Sequence, residues 1–434
     1  MICRLRQTFA KYRTSAVTQG NVMLAPPPSV KGMTVLDRNA FQRKISFPSL
    51  LVPVEAIKQC KKLLKSKLPS LNMKTVINPP DGSKGYKMFL LDPDKTFLED
   101  EMKILESHGV VNKVCYHDIE IGYDHYRVRD IMDAIIPKDP SSVEGSASPA
   151  GFSTIGHIVH LNLREHQLPF KKIIGQVFLD KVVNARTVVH KIQNIDNEYR
   201  NLEMEVLAGE DNFITRVVEY NRIFEFDFSK VFWNPRLSTE HHRITGIISK
   251  KEIVFDVCAG VGPFAIPLAR KGCRVFANDL NLASVKWLEH NATLNKTKMK
   301  ISNLDGRAFI QNELKKFLMN KQASTTDKVH ILMNLPGIAV EFLDAFPNLL
   351  PFQESLPSVV VHVYLFCQKD DQDEIKSRIR KHLGHPLPLD ATIHHVRNVA
   401  PNKDQYCISF VVSHEVLCGS RHDEGPERKK LREE

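Results

Sequence analysis

Three successive apolar runs each end on a polar side chain able to hold a small ligand: Asp279, Asp305 and Asn334. A carboxylate at a strand end accepts hydrogen bonds from ribose hydroxyls, and the stretch from Glu252 to Asp279 frames the first of these residues. An apolar run closes on Asp256-Val257-Cys258 and turns through Gly260-Val261-Gly262. A helical pattern follows, stopped by Gly272, before a second run reaches Asp279. Strand, glycine turn, helix and strand, with an acid roughly 20 residues after the turn, make a nucleotide-binding βαβ unit. Gly260 and Gly262 let the backbone come close to a ligand, and Pro263 suits the first helical position. The expected ligand is adenosine-like.

The glycines alone leave the cofactor open, because Gly260, Gly262 and Ala265 also satisfy the dinucleotide pattern G-x-G-x-x-A of nicotinamide enzymes. The later runs decide. Lys298 to Ile301 reads as a third strand leading to Asp305-Gly306, and Val329 to Met333 as a fourth stopping at Asn334-Leu335-Pro336. Seven-stranded α/β enzymes that use S-adenosylmethionine carry this punctuation, so methyl transfer is favoured over hydride transfer. Ligands bind beyond the carboxyl ends of such strands, which brings these residues to one crevice.

Positioning these residues is the task of a long chain. At 434 residues, two or three domains are expected. The composition, 42% hydrophobic and 25% charged, is that of a soluble protein, and no apolar run is long enough to span a bilayer. A net charge of +10 favours a polyanionic partner. The eight cysteines form no C-x-x-C pair, which argues for free thiols and against a zinc site. Adjacent pairs His241-His242 and His394-His395 are poor metal seats, and no metal is expected. The first 36 residues hold no acid but include Arg4, Arg6, Lys11, Arg13 and Lys31, with Ile2, Leu5, Phe9 and Tyr12 on one helical face. Such a start resembles a mitochondrial transit segment, or a basic arm that touches RNA.

The organisation read from the chain begins with this basic tail, residues 1–31. A first domain follows at 32–136, with an amphipathic helix from Glu55 to Leu64 and a strand at Phe89 to Asp92. Next come a Pro/Ser/Gly-rich linker at 137–150 and an α+β module at 151–230. In the latter, Ile155 to Leu163 alternates as a strand, Lys172 to Leu179 is an apolar run, and Phe213 to Val218 pairs with Arg222 to Phe228. The cofactor domain spans 231–414, its later strands at Val359 to Phe366 and Tyr406 to Val412 with a helix between, and 415–434 is expected to be a disordered charged tail. Just before the βαβ unit lies Phe232-Trp233-Asn234-Pro235-Arg236-Leu237-Ser238-Thr239-Glu240-His241-His242-Arg243. Pro235 disfavours helix at Asn234, and Ser238 is the expected N-cap. Glu240 then falls in the first turn, where by itself an acid complements the helix dipole by about 0.3–1 kcal/mol.

Several blocks in this order carry a specific resemblance: IGHIVHLNLREHQLPFKKIIGQVFLDK, NIDNEYRNLEMEVLAGE, FEFDFSKVFWNPRLSTEH, DVCAGVGPFAIP, FANDLN, MNLP and VRNVAPNK. The chain resembles the eukaryotic and archaeal tRNA (guanine-N1)-methyltransferases that act at position 37, over roughly residues 32–410. The resemblance implies a class I, Rossmann-like seven-stranded methyltransferase domain preceded by smaller α+β RNA-recognition domains. It implies Glu240 as general base, Arg200 as the cation at the guanine carbonyl, and Asn334 and Pro336 lining the base pocket or the methionine end of the cofactor. His241, Asp279, Leu280, Asp305, Gly306 and Asn334 would contact S-adenosyl-L-methionine, beside Gly260 and Gly262. The implied partner is tRNA, met at its anticodon loop and outer corner by a monomer, in mitochondrial matrix, nucleus and cytoplasm. Phe232 replaces a usual tyrosine, and Cys258 and Gly337-Ile338 are unusual, which puts full turnover in doubt. A related wybutosine-pathway aminocarboxypropyl transferase and a weakly active tRNA-binding protein are the alternatives. Gly337 after Asn-Leu-Pro, where exocyclic-amine methyltransferases carry an aromatic, fits attack by a ring nitrogen.

Overall fold

The computed structural model describes residues 23–110, 114–137, 151–192, 204–320 and 324–419. Two compact units emerge, one drawn from 1–152, 159–190 and 206–210, the other from 153–158, 191–205 and 211–434. In the first, β1 (Arg43–Pro53), α1 (Ile57–Leu63), β2 (Val76–Ile77), β3 (Tyr86–Leu90), α2 (Glu99–Ser107), β4 (Cys115–Ile121) and α3 (Val128–Ile135) build an antiparallel sheet with order β2-β3-β1-β4. In chain order there follow β5 (Phe152–Ile155), mostly within the second unit, and then β6 (Ile158–Leu161), α4 (Lys171–Lys181), β7 (Thr187–Lys191) and β8 (Met204–Gly209). The expected linker at 137–150 does not divide two cores. Phe47, Tyr126 and Ile131 share one buried cluster with Val159, Ile174 and Phe178. The apolar stripe of α3 is covered by α4, so neither side could bury its face alone.

Two local expectations change here. The alternating run from Ile155 to Leu163 is broken at Gly156, whose φ of +58° ends β5 before β6 begins. Lys172 to Leu179 lies within helix α4, where Ile173, Ile174, Val177 and Phe178 are buried at helical spacing.

The second unit opens with the hairpin β9 (Ile214–Glu219) and β10 (Arg222–Asp227), joined by Tyr220-Asn221 with φ of +44° and +61°. Then come α5 (Ser238–Ile247), β11 (Ile253–Asp256), α6 (Ala265–Lys271), β12 (Arg274–Asn278), α7 (Leu282–Leu294), β13 (Lys300–Ser302) and α8 (Gly306–Phe309). A π turn leads from α8 into α9 (Lys315–Met319), followed by β14 (Lys328–Met333), β15 (Ser358–Cys367), α10 (Gln372–Leu383), β16 (Thr392–Ala400), β17 (Lys403–Val411) and α11 (His414–Cys418). The seven strands run in the order β13-β12-β11-β14-β15-β17-β16, the first five parallel and β17 antiparallel to both neighbours. Every residue of β11 is buried, as a strand covered on both faces must be. The chain leaves β11 toward β12 on one side and returns on the other as β14, so a crevice opens at their carboxyl ends.

This is the seven-stranded class I methyltransferase architecture, with details that the sequence pattern does not announce. Strand β16 is one of them. The chain past 414 is not wholly tail, because α11 buries Val416 and Leu417 in the main core. The hairpin is tied to α7 by two asparagines: Asn291 Oδ1 accepts the Glu225 amide at 2.8 Å and Asn295 Oδ1 that of Ile223 at 3.1 Å. They satisfy the free edge of β10 and fix Glu219 at the end of β9.

Phe255 on β11 stacks on Phe276 of β12, with centroids 4.5 Å apart and rings parallel to 1°, and Phe309 and Phe317 close around them. Truncation leaves a cavity the rigid parallel strands cannot close. Phe255→Ala is expected to destabilise the protein by about 3–5 kcal/mol in chemical denaturation, and a loss below about 1 kcal/mol would contradict this packing.

Candidate functional site

The glycine turn is built by its own contacts. Gly262 has φ of +101°, and a β-carbon there would lie 2.7 Å from Ile266 and Leu288, so no other residue fits. The turn enters α6 later than expected. The helix proper begins at Ala265, and Pro263 occupies the lead-in turn where Ile266 N–H donates to the Gly262 carbonyl. Gly260 N–H donates to Asp279 Oδ2 at 2.8 Å, and Asn281 N–H to Asp279 Oδ1 at 2.9 Å. Asp279 thus latches the turn to the end of β12. Burial pushes its carboxyl up, with the two amides pulling the other way.

Around this latch the crevice gathers the remaining residues. Leu280 is 42% exposed, and Asn303 Nδ2 holds its carbonyl and that of Asp279 at 2.9 and 2.8 Å. Asp305 caps α8 by accepting the Arg307 and Ala308 amides. Gly306 lies beneath Phe342, whose ring comes within 2.7 Å of where a β-carbon would sit. Asn334, at the end of β14, has a buried Oδ1 with no hydrogen-bond partner.

A further residue escapes the sequence pattern. Asp256, the last residue of β11, is fully buried and neither carboxylate oxygen has a hydrogen-bond partner. Burial, then the charge of Asp279, pushes it up to about 8, with the nearby Cys258 amide opposing weakly from outside hydrogen-bond geometry. Its signal in the sequence is one acid closing an otherwise apolar run. Buried acceptors without donors are costly and mark a place where a ligand supplies the partner. An ammonium and ribose hydroxyls would do so, and the residues present fit S-adenosylmethionine.

Next to the crevice stands Glu240, in the first turn of α5 and 4% exposed. Ser238 does not cap this helix; the N-cap position is Leu237, and Asn234 instead caps the short 3-10 turn Pro235–Leu237 by accepting the Arg236 amide. Pro235 fixes that turn, and α5 continues from it without a break. Arg243, one turn on, grips Glu240 through two hydrogen bonds of 2.7 Å each. Tyr364 from β15 donates to Glu240 Oε1 at 2.6 Å. His394 Nε2 on β16 lies 3.5 Å from Oε2. Burial lowers the Arg243 pKa, but the Glu240 hydrogen bonds and charge outweigh it and raise the value. Burial holds the Tyr364 phenol far above its ordinary range, with Cys407 and Glu240 adding to the rise.

His241, which the resemblance places at the cofactor, is buried. Its Nδ1 meets Glu219 Oε1 at 2.8 Å, and its ring stands edge-on to Phe264 at 4.8 Å. Phe264 in turn faces Tyr364 at 6.1 Å, so one aromatic row links His241 to the partner of Glu240. A cavity of about 440 Å³ opens beside the start of α5, lined by Arg216, Tyr220, Trp233, Pro235 and Ser238. Phe232 is 65% exposed. Arg200 lies outside the described residues.

The raised Asp256 carboxyl carries a pH consequence. Its folded value exceeds the ordinary one, so its contribution is fully present below roughly pH 4 and is lost as pH rises through about 8. Asp256→Asn is expected to raise the thermal midpoint of the ligand-free protein at pH 9 relative to wild type and to flatten the decline between about pH 4 and 8. An unchanged decline would contradict the assignment.

Residues 215–382 match the TRM5/TYW2 methyltransferase domain, and residues 128–212 match the TYW2 N-terminal domain. The tRNA (guanine(37)-N(1))-methyltransferase of Ciona intestinalis is 48% identical over 461 residues, covering 100% of this chain and 99% of its own. The Homo sapiens protein of the same name is 45% identical, covering 91% of this chain and 79% of its own. The crystal structure of wild-type Trm5b from Pyrococcus abyssi aligns with a TM-score of 0.58 at 25% identity, over 85% of this chain and 99% of that one. With its seven-stranded sheet, glycine turn and strand-end acids in place, the chain belongs to the tRNA (guanine(37)-N(1))-methyltransferase family.

Proposed function

We infer that this chain transfers the methyl group of S-adenosylmethionine to N1 of guanosine 37 in tRNA, with Glu240 as the base. The observation that carries the mechanism is the buried Glu240 carboxyl, paired with Arg243 at 2.7 Å. Guanine N1 bears a proton at neutral pH and is a poor nucleophile until it leaves. A carboxylate within hydrogen-bond reach takes that proton, and Arg243 and Tyr364 fix its orientation. The cofactor supplies an electrophilic methyl on a sulfonium, which needs placement and no further activation. Negative charge then grows on O6, where the resemblance puts Arg200. The unpaired Asn334 Oδ1 supports a role in accepting from the guanine edge or the methionine end of the cofactor. His241, Asp279, Leu280, Asp305 and Gly306 would hold the cofactor, with Gly260 and Gly262 allowing its close approach.

The target base must leave its loop to reach such a site. The net charge of +10 supports phosphate contacts along the anticodon stem and at the outer corner, so binding should weaken steeply with salt. The proposal extends to a monomer distributed among mitochondrial matrix, nucleus and cytoplasm; the acid-free, arginine-bearing start supports the first. Aminocarboxypropyl transfer is the less favoured reading, because the resemblance implies no need for a base at the position of Glu240 in those relatives. The departure at Phe232 leaves an exposed ring for stacking but no hydroxyl.

Glu240→Gln should slow methylation by about 10²–10⁴-fold while cofactor affinity stays intact, read by nucleoside mass spectrometry after incubation with labelled cofactor. An unchanged rate would remove Glu240 as base. Asp279→Ala should instead weaken cofactor binding, and unaltered affinity in calorimetry would remove it from the cofactor site.

A further inference from the structure

The reaction inferred above leaves a proton on Glu240, and the surroundings of that carboxyl restrict where it can go. Glu240 is 4% exposed, and a purine seated against it would close the remaining access. Arg243 cannot accept a proton, being a cation already. Tyr364 donates to Oε1 and holds its own proton firmly. Among the described residues, with the Cys407 thiol pushed up to about 11 and so no acceptor, the neighbour left is His394, whose Nε2 lies 3.5 Å from Oε2 and whose side chain is 43% exposed. One end of this ring meets the buried carboxyl and the rest reaches solvent.

We propose that His394 is the proton outlet of Glu240, a positioning residue that returns the base to its ionised form for the next round. The inference rests on Glu240 acting as base. The guanine N1–H bond breaks as a Glu240 O–H bond forms. That O–H bond then breaks as His394 Nε2 takes the proton on its lone pair, and Nδ1–H gives its own proton to water. The ring ends as the other neutral tautomer and resets by exchange with solvent. No oxidant, metal or second substrate enters.

The groups facing His394 suit this role. Glu240 and Arg243 approach from α5, and His395 is its neighbour on β16, itself paired to Asp404 of β17 at 3.1 Å. Burial lowers the His394 pKa; Arg243 and His395 lower it further, against an opposing pull from Glu240. The ring is therefore a neutral acceptor at neutral pH. Arg243 contributes from the other side, its bidentate grip fixing the carboxyl with Oε2 near the ring.

The test uses the full-length chain, labelled S-adenosylmethionine and a tRNA transcript with guanosine 37, in single-turnover and steady-state regimes from pH 6 to 9. His394→Ala is expected to lower the steady-state rate by roughly tenfold or more, and to depress repeated turnover more than the first. Imidazole added to the buffer should restore the Ala variant in proportion to its neutral form. His394→Gln, which keeps a polar group but cannot relay, should remain slow. A Gln variant as fast as wild type would overturn the proposal, as would an Ala variant that imidazole fails to rescue although its thermal midpoint matches wild type. Glu240→Gln separates the two readings. If its single-turnover rate equals that of wild type, the base assignment fails. If it is slow while both His394 variants are fast, the outlet alone fails.

Discussion

A carboxylate taken out of water and gripped by a guanidinium and a phenol is the interaction around which the second unit is arranged. Removing an ion pair from water costs several kcal/mol per ion, and apolar residues of similar volume often serve stability as well or better. The helix-dipole benefit of an acid in a first turn, about 0.3–1 kcal/mol, does not offset that cost for Glu240. An exposed Glu–Arg pair one turn apart would add only a few tenths of a kcal/mol. Stability therefore does not account for the Glu240, Arg243 and Tyr364 cluster, and the proposed role of Glu240 as an oriented base would.

The sheet order explains how such a base comes beside a cofactor crevice. Strands β12 and β13 leave β11 on one side and β14 and β15 on the other, so the strand ends carrying Asp256, Asp279 and Asn334 face a common opening. Tyr364 sits on β15, and Phe264 directly follows the glycine turn, so the rigid sheet supports both the cofactor-side residues and the partner of the base. The Asn291 and Asn295 contacts extend that rigidity to the β9–β10 hairpin, and through Glu219 to His241. The crevice residues and the Glu240 cluster are thus held by one core.

Much of this is legible where the signal is local. The βαβ unit declares itself through two apolar runs, the Gly260–Gly262 turn, Gly272 at a helix end and Asp279 after the second run. Glu240 can be placed in a first turn because Pro235 fixes where helix can begin, although the capping side chain is Asn234, ahead of the 3-10 turn, and not Ser238. The partners of Glu240 are not legible. Arg243 is visible at i+3, yet nothing local says that such a pair will be buried. Tyr364 and His394 reach it only through the strand order, from sequence positions far removed. Strand β16 hides for a related reason: as an edge strand with no fully buried residue, it lacks a clean alternation. Asp256 looks like the last residue of a strand, and only complete burial without a donor reveals it.

The most direct measurement is a crystal structure with a cofactor analogue and a tRNA carrying guanosine 37. The account predicts a Glu240 oxygen within about 3.2 Å of guanine N1, with Tyr364 still donating to the carboxylate. A purine seated elsewhere, with Arg243 closing both Glu240 oxygens away from N1, would contradict it.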